Sequence, residues 1–422
     1  MRRDFWQRSL SVKKILLVEP DFPIPAKSKN HKNFLPIGLL KIASFLKANG
    51  VSVKLQRGTP QNSETISELK SFNPDEVWVT SLFTYWARYV RDAVYYYKEL
   101  FPIAKTVVGG VFASLLPEED VKRYTACDEV YRGTIEEAEK CFPAYELLDG
   151  FNSHPIDYQI IHTSRGCLRE CPFCGTWIIE PEFKAKESIK DEVRFKKIVL
   201  YDNNFLMNPY VENILEELCK LKRDKKITWV ESQSGFDGRV LMEKPYLATL
   251  IKKAGFRYPR IAWDGRFEDY EYIRKQLEMF LNAGYKSKDI FVFVLYNWEI
   301  PFEEMEKKRI KCFEWKVQIA DCRFRPLNQL FDNYNPHKTG QTLSDYYIHE
   351  QAGWNDYLVK MFRKNVREQN ICVRHDLDFY ARELEHKRVG KEFYNKVKDV
   401  PDTEKFLREN KICFWFPSTM RP

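Results

Sequence analysis

Apolar residues in the first third of the chain come in two alternating kinds of run. Short stretches rich in apolar residues at 14–19, 51–55, 76–81 and 106–110 predict strands, the first of them buried. Between them, apolar positions three and four apart at 35–50 and around 87–100 predict amphipathic helices. The first of these helices opens near Pro36 and closes on Gly50, as the chemistry of helix ends favours. Strand and helix in alternation predict an α/β, Rossmann-like, doubly wound parallel sheet over 1–150.

From 156 the same alternation recurs at roughly 30-residue intervals, as in a partial (β/α) barrel. Strands are expected at 158–163, 197–202, 228–234, 260–264, 290–296 and 317–324. Beyond about 330 the pattern changes to an Asn-, Pro- and Gly-bearing loop and then to helices rich in aromatic and basic residues. The expected domains are therefore 1–150, a barrel-like 151–330 and a helical carboxyl-terminal region over 331–422. The tail Cys413-Phe-Trp-Phe-Pro is apolar enough to predict that it packs down.

Composition narrows the class without naming a function. With 422 residues, 44% hydrophobic and 30% charged, the chain reads as a globular enzyme-sized protein. The longest apolar run, 290–296, is far short of a membrane helix, and the start lacks the apolar segment of a signal peptide, so a cytoplasmic protein is expected. A net charge of +8 is mild and interspersed with acids; it allows a nucleic-acid partner and does not indicate one.

Three of the ten cysteines stand together: Cys167, Cys171 and Cys174 are spaced CxxxCxxC, with Gly166 and Gly175 on either side. The other seven are scattered singly, so no second pair completes a structural zinc site of four ligands. His162 could supply a fourth ligand, but it reads more naturally as part of the incoming strand. A disulfide is the weaker reading in a reducing compartment. A cubane iron–sulfur cluster normally takes four cysteines, so three would leave one iron open to an exogenous ligand.

CxxxCxxC with an aromatic before the last cysteine, here Phe173, resembles the radical S-adenosylmethionine (radical SAM) superfamily. The resemblance implies a [4Fe-4S] cluster on Cys167, Cys171 and Cys174, S-adenosylmethionine on the open iron, and one-electron cleavage to a 5′-deoxyadenosyl radical. It implies a six-stranded open barrel, which the six expected strands match, and a reductant protein such as flavodoxin or ferredoxin. Phe173 would place its backbone near the adenine. Polar residues at the carboxyl ends of barrel strands would bind the rest of the cofactor: Asp202 and Asn203 the amino group, Glu231 and Gln233 the carboxylate or ribose, Asp264 the ribose hydroxyls. Tyr296, Asn297, Arg323 and Arg325 end the later strands. Asx residues before a helix also occur for capping alone, which is the competing account of Asp202, Asn203 and Asn204.

The phrases at 35–40 and 107–117, Leu-Pro-Ile-Gly-Leu-Leu and Val-Val-Gly-Gly-Val-Phe-Ala-Ser-Leu-Leu-Pro, resemble the cobalamin-binding-type domain that precedes many radical SAM barrels. By that resemblance Ser81, Gly109 and Gly110 would lie along the cobalamin nucleotide tail, where glycine lets a ligand approach the backbone. One departure stands out: the DxHxxG loop, whose histidine binds cobalt, is replaced after the first strand by Glu19-Pro-Asp-Phe-Pro-Ile-Pro, and His31 lacks its context. Two outcomes stay open, a bound cobalamin serving methyl transfer or a domain that has lost it. The other functional class is a non-catalytic zinc or iron–sulfur protein binding nucleic acid or protein partners through its basic, aromatic carboxyl-terminal region. No motif specifies a substrate.

Overall fold

The computed structural model describes residues 14–29, 31–151 and 156–376. They form two compact units: one of the residues up to Asn203 with 226–228 and 325–333, the other of 204–225, 229–324 and the described residues from Tyr334. The division falls inside the run of strands expected as one barrel.

The first unit contains a parallel sheet of β1 (Lys14–Glu19), β2 (Ser52–Arg57), β3 (Glu76–Ser81), β4 (Lys105–Gly110) and β5 (Glu129–Val130), in the order β2-β1-β3-β4-β5. This is the expected doubly wound arrangement. The strand order reverses between β1 and β3, which opens a crevice at their carboxyl ends. Leu16, Val18, Val77, Val79 and Val108 build one core with Val90, Val94 and Tyr97 of the helix Ala87–Leu100. The Tyr97 hydroxyl donates to the Gly58 carbonyl at 2.6 Å, so its burial leaves no polar atom unmet. The helix Ser63–Phe72 starts where the Asn62 side chain accepts from the Thr65 amide, and stops at Asn73 in a left-handed conformation.

The same unit continues into β6 (Gln159–Ile161), parallel to β9 (Lys197–Leu200). Between them β7 (Ser164–Arg165) pairs antiparallel with β8 (Lys184–Ala185). The Ile160 amide donates to the Tyr145 hydroxyl at 3.0 Å, which ties β6 to the preceding domain.

In the second unit β10 (Trp229–Ser232), β11 (Arg260–Ala262), β12 (Phe291–Tyr296) and β13 (Gln318–Arg323) alternate with the helices Leu247–Ala254, Tyr270–Asn282 and Phe302–Glu314. β11, β12 and β13 form a parallel sheet in that order. The helix Asp356–Arg374 blunts the β13 edge: Asn370 accepts from the Ile319 amide at 2.8 Å and donates to its carbonyl at 2.7 Å, as a neighbouring strand would. Glu306 and Arg309 pair in a buried cluster that Gln369 and Asn365 complete. All six strands expected after residue 156 are present, each trimmed by one or two residues at an end. The rest of the expected helical region, 377–422 with the apolar tail at Cys413, lies outside the described residues. Among the described residues no helix is long and apolar enough to cross a membrane.

Asp321 on β13 provides a stability test. Burial pushes its carboxyl up to about 6, against the pull of Arg363. The unfolded carboxyl titrates near 3.9, so the folded protein binds the extra proton between those values. The group's contribution to stability is full below about pH 4 and is lost as pH rises through about 6. Asp321→Asn should flatten that slope and stabilise the protein near neutral pH by up to about 3 kcal/mol. Urea midpoints of both proteins near pH 4 and near pH 7 test this; an unchanged difference between the two pH values would sink it.

Candidate functional site

The carboxyl ends of β1, β3 and β4 open into a cavity of about 390 Å³, on the scale of pockets that hold small organic ligands. Leu35, Pro36 and Ile37, at the start of the helix Ile37–Ala48, form one wall with Val79 and Leu82. Ser81, Gly109 and Gly110, the residues assigned to a nucleotide tail, line it as well. Gly110 has φ +96°, and a Cβ there would stand 2.2 Å from the Ser81 carbonyl oxygen, so only glycine lets β3 and β4 end this close together. The Ser81 hydroxyl donates to the Gly109 carbonyl at 2.6 Å and accepts from the Ala113 amide at 3.2 Å. It braces the turn. A Cβ on Gly38 would meet nothing within 4 Å, which leaves room at the helix start.

A line of charged residues closes the other side. Lys41 pairs with Glu139 at 2.7 Å and lies 3.2 Å from His162 Nδ1. Burial pulls the Lys41 pKa down, with Glu139 opposing. Burial would raise Glu139, but Arg165 and Lys41 outweigh it and hold the carboxylate below its usual range. His162 is buried, and burial together with Lys41, Arg165 and Lys186 keeps its pKa well below the ordinary value, so the ring is neutral. An ammonium has only donors, so Nδ1 accepts and the imidazole proton sits on Nε2. Lys41 thus engages the Nδ1 lone pair of His162 in this arrangement. Lys41 carried a signal in the sequence, a lone cation among Leu39, Leu40 and Ala43 on a buried helix face. Its partners lie 98 and 121 residues away, beyond any local pattern.

The cysteine loop rises from the β7–β8 pair. Cys167, Cys171 and Cys174 form no disulfide and are partly buried. Gly166, at φ +79°, lies where a Cβ would stand 2.6 Å from the Glu182 carbonyl oxygen, and Gly175 packs so closely that its Cβ would meet Leu115 Cδ2 at 2.8 Å. The Cys171 carbonyl accepts from the Cys174 amide at 3.0 Å and from Trp177 Nε1 at 3.2 Å, which fixes the curve between the last two thiols. The Cys174 thiol donates to Thr176 Oγ1 at 3.3 Å. Among the described residues no three His, Cys, Asp or Glu side chains gather around a single ion. Three thiols spread along one loop suit a polynuclear cluster, where each cysteine takes a different iron. The donor set fits that group. Phe173 is partly buried beside Cys174.

Asp202 is buried at the end of β9, and its carboxylate accepts from the Thr163 hydroxyl at 2.6 Å, the Ser164 hydroxyl at 2.7 Å and the Ser164 amide at 2.5 Å. It joins β9 to the segment leading into the cysteines. Asn203 is exposed on the cavity rim and donates to Glu180 at 3.3 Å. In the second unit Glu231 is buried and bonded by Arg260 and Gln233, while Asp264 is exposed after β11. The loop after β1 presents no histidine to the cavity: His31 is exposed, and Glu19 is held in a buried pair with Arg57.

Residues 30–142 match the family model of the B12-binding domain. No curated protein matches the sequence. Similar solved structures include the cobalamin-dependent S-adenosylmethionine radical enzyme OxsB with aqua-cobalamin and S-adenosylmethionine bound, at 15% identity and a TM-score of 0.42 over 96% of this chain and 57% of that one. The same enzyme with aqua-cobalamin alone gives 15% identity and a TM-score of 0.43 over the same shares. A cobalamin-binding protein from Desulfitobacterium hafniense DCB-2 gives 19% identity and a TM-score of 0.20, over 30% of this chain and 57% of that one. The chain thus spans 57% of the length of each of these structures.

Proposed function

We propose that this protein with a B12-binding domain is a radical SAM enzyme, with Cys167, Cys171 and Cys174 holding three irons of a [4Fe-4S] cluster. The observation that carries the reading is the three-cysteine loop, without a disulfide, in the same compact unit as the cavity lined by the segment that matches the B12-binding domain. When bound, the cluster and S-adenosylmethionine supply a radical that abstracts hydrogen from the substrate, and cobalamin supplies a methyl group. The chain's own residues hold and shield these groups. Gly109 and Gly110 admit a nucleotide tail to the backbone, and apolar Leu35, Ile37 and Ile179 exclude water around it. Asn203 is the polar group proposed for S-adenosylmethionine in the unit that carries the cysteines, with Asp202 fixing the strand end beneath it. The electron comes from a small reductant protein such as flavodoxin or ferredoxin, and the outcome best matched to a corrinoid is methylation of a carbon.

The test is to reconstitute the protein anaerobically, reduce it with dithionite and supply S-adenosylmethionine. Formation of 5′-deoxyadenosine with methionine is the expected result. A protein that takes up iron yet yields neither 5′-deoxyadenosine nor a methylated product with any reductant would defeat the proposal.

A further inference from the structure

We propose that Glu180 is the positioning residue of the cysteine loop, and that Arg165 links it to the cavity beside the sheet. The inference rests on the cluster reading above. Glu180 directly follows the short helix Thr176–Ile179, just past the last cysteine. Its Oε2 accepts from the Gly166 amide at 2.7 Å, the residue immediately before Cys167, and from Asn203 Nδ2 at 3.3 Å. Its Oε1 takes the guanidinium of Arg165. One carboxylate thus bridges both ends of the segment that carries all three thiols. Its side chain is only 12% exposed, so these charge-assisted bonds are little weakened by water.

Arg165 extends the link. Its Nε is buried and has no hydrogen-bond acceptor, and Glu139 Oε2 stands 4.0 Å from it. Arg165, Glu180 and Glu139 all line the cavity. A buried donor without an acceptor carries a desolvation cost, which a ligand oxygen or nitrogen reaching Nε would recover. Such a ligand would hold Arg165, and through it Glu180, in the arrangement that sets the loop. A carboxylate near the loop also opposes addition of an electron to a cluster there, so Glu180 bears on its potential as well as on its shape.

Wild type, Glu180→Gln and Glu180→Ala are compared after anaerobic reconstitution, by iron content, by the midpoint of cluster reduction followed by electron paramagnetic resonance, and by hydrogen exchange over 166–180 in metal-free protein. Glutamine keeps an acceptor for the Gly166 amide and loses the charge. It should retain iron and shift the midpoint to more positive potential by about 59 mV, a tenfold change in the reduction equilibrium. Alanine should lose half or more of the iron and speed exchange across the loop at least tenfold. Wild-type midpoint in Glu180→Gln with wild-type iron and exchange in Glu180→Ala would overturn the inference. Should wild type itself take up no iron, the cluster reading fails, and the exchange comparison alone decides whether Glu180 sets the loop.

Discussion

Replacing Cys167, Cys171 and Cys174 together by alanine is expected to take iron from about four per chain to background and to abolish cleavage of S-adenosylmethionine. The effect is large because no other cysteine is grouped with these three in the sequence. The fold should survive the change. The loop is anchored by the β7–β8 pair and by Glu180, and the three thiols are only partly buried, so their loss empties no core. Far-ultraviolet circular dichroism and the melting temperature of the metal-free proteins should therefore agree, while the iron-dependent absorbance disappears. Stoichiometric zinc in the wild type, persisting through anaerobic reconstitution, would instead mark a metal site of another kind.

The second large effect is expected at Gly110. Alanine there would have to hold φ +96° and ψ −161°, a region essentially confined to glycine and costing about 1–3 kcal/mol, and its Cβ would press on the Ser81 carbonyl oxygen. β3 and β4 would have to part at the carboxyl ends that border the cavity. Titration with hydroxocobalamin should show affinity lowered at least tenfold, with a lower melting temperature. Gly38→Ala separates the two causes, because a Cβ at Gly38 enters open space and should leave stability unchanged. A loss of affinity in that variant would come from filling the cavity alone. If wild type fails to bind cobalamin at all, the tail assignment for Ser81, Gly109 and Gly110 falls.

Much of the architecture was legible before the structure, for a local reason. A strand leaves a short run rich in apolar residues and each helix between strands leaves a periodic one, so β1 to β4, β6 and β9 to β13 were all visible. β5, β7 and β8 were not, because two residues are too few to make a pattern. Glu231 and Asp264 were foreseen at strand ends, yet only the structure separates a carboxylate bonded by Arg260 from one open to solvent.

The sequence by itself determined the alternation of elements, the three-thiol motif and the glycines of the cavity, because each of these is written in neighbouring residues. Tertiary structure alone decided the order of the strands and hence the position of the crevice. It also decided that Lys41, Glu139, His162, Arg165 and Glu180 meet in one line of polar contacts. Those side chains come from separate elements and meet only when the sheet and the cysteine loop pack together. A lone charge on an apolar face shows that some partner must exist, and chain folding selects which one.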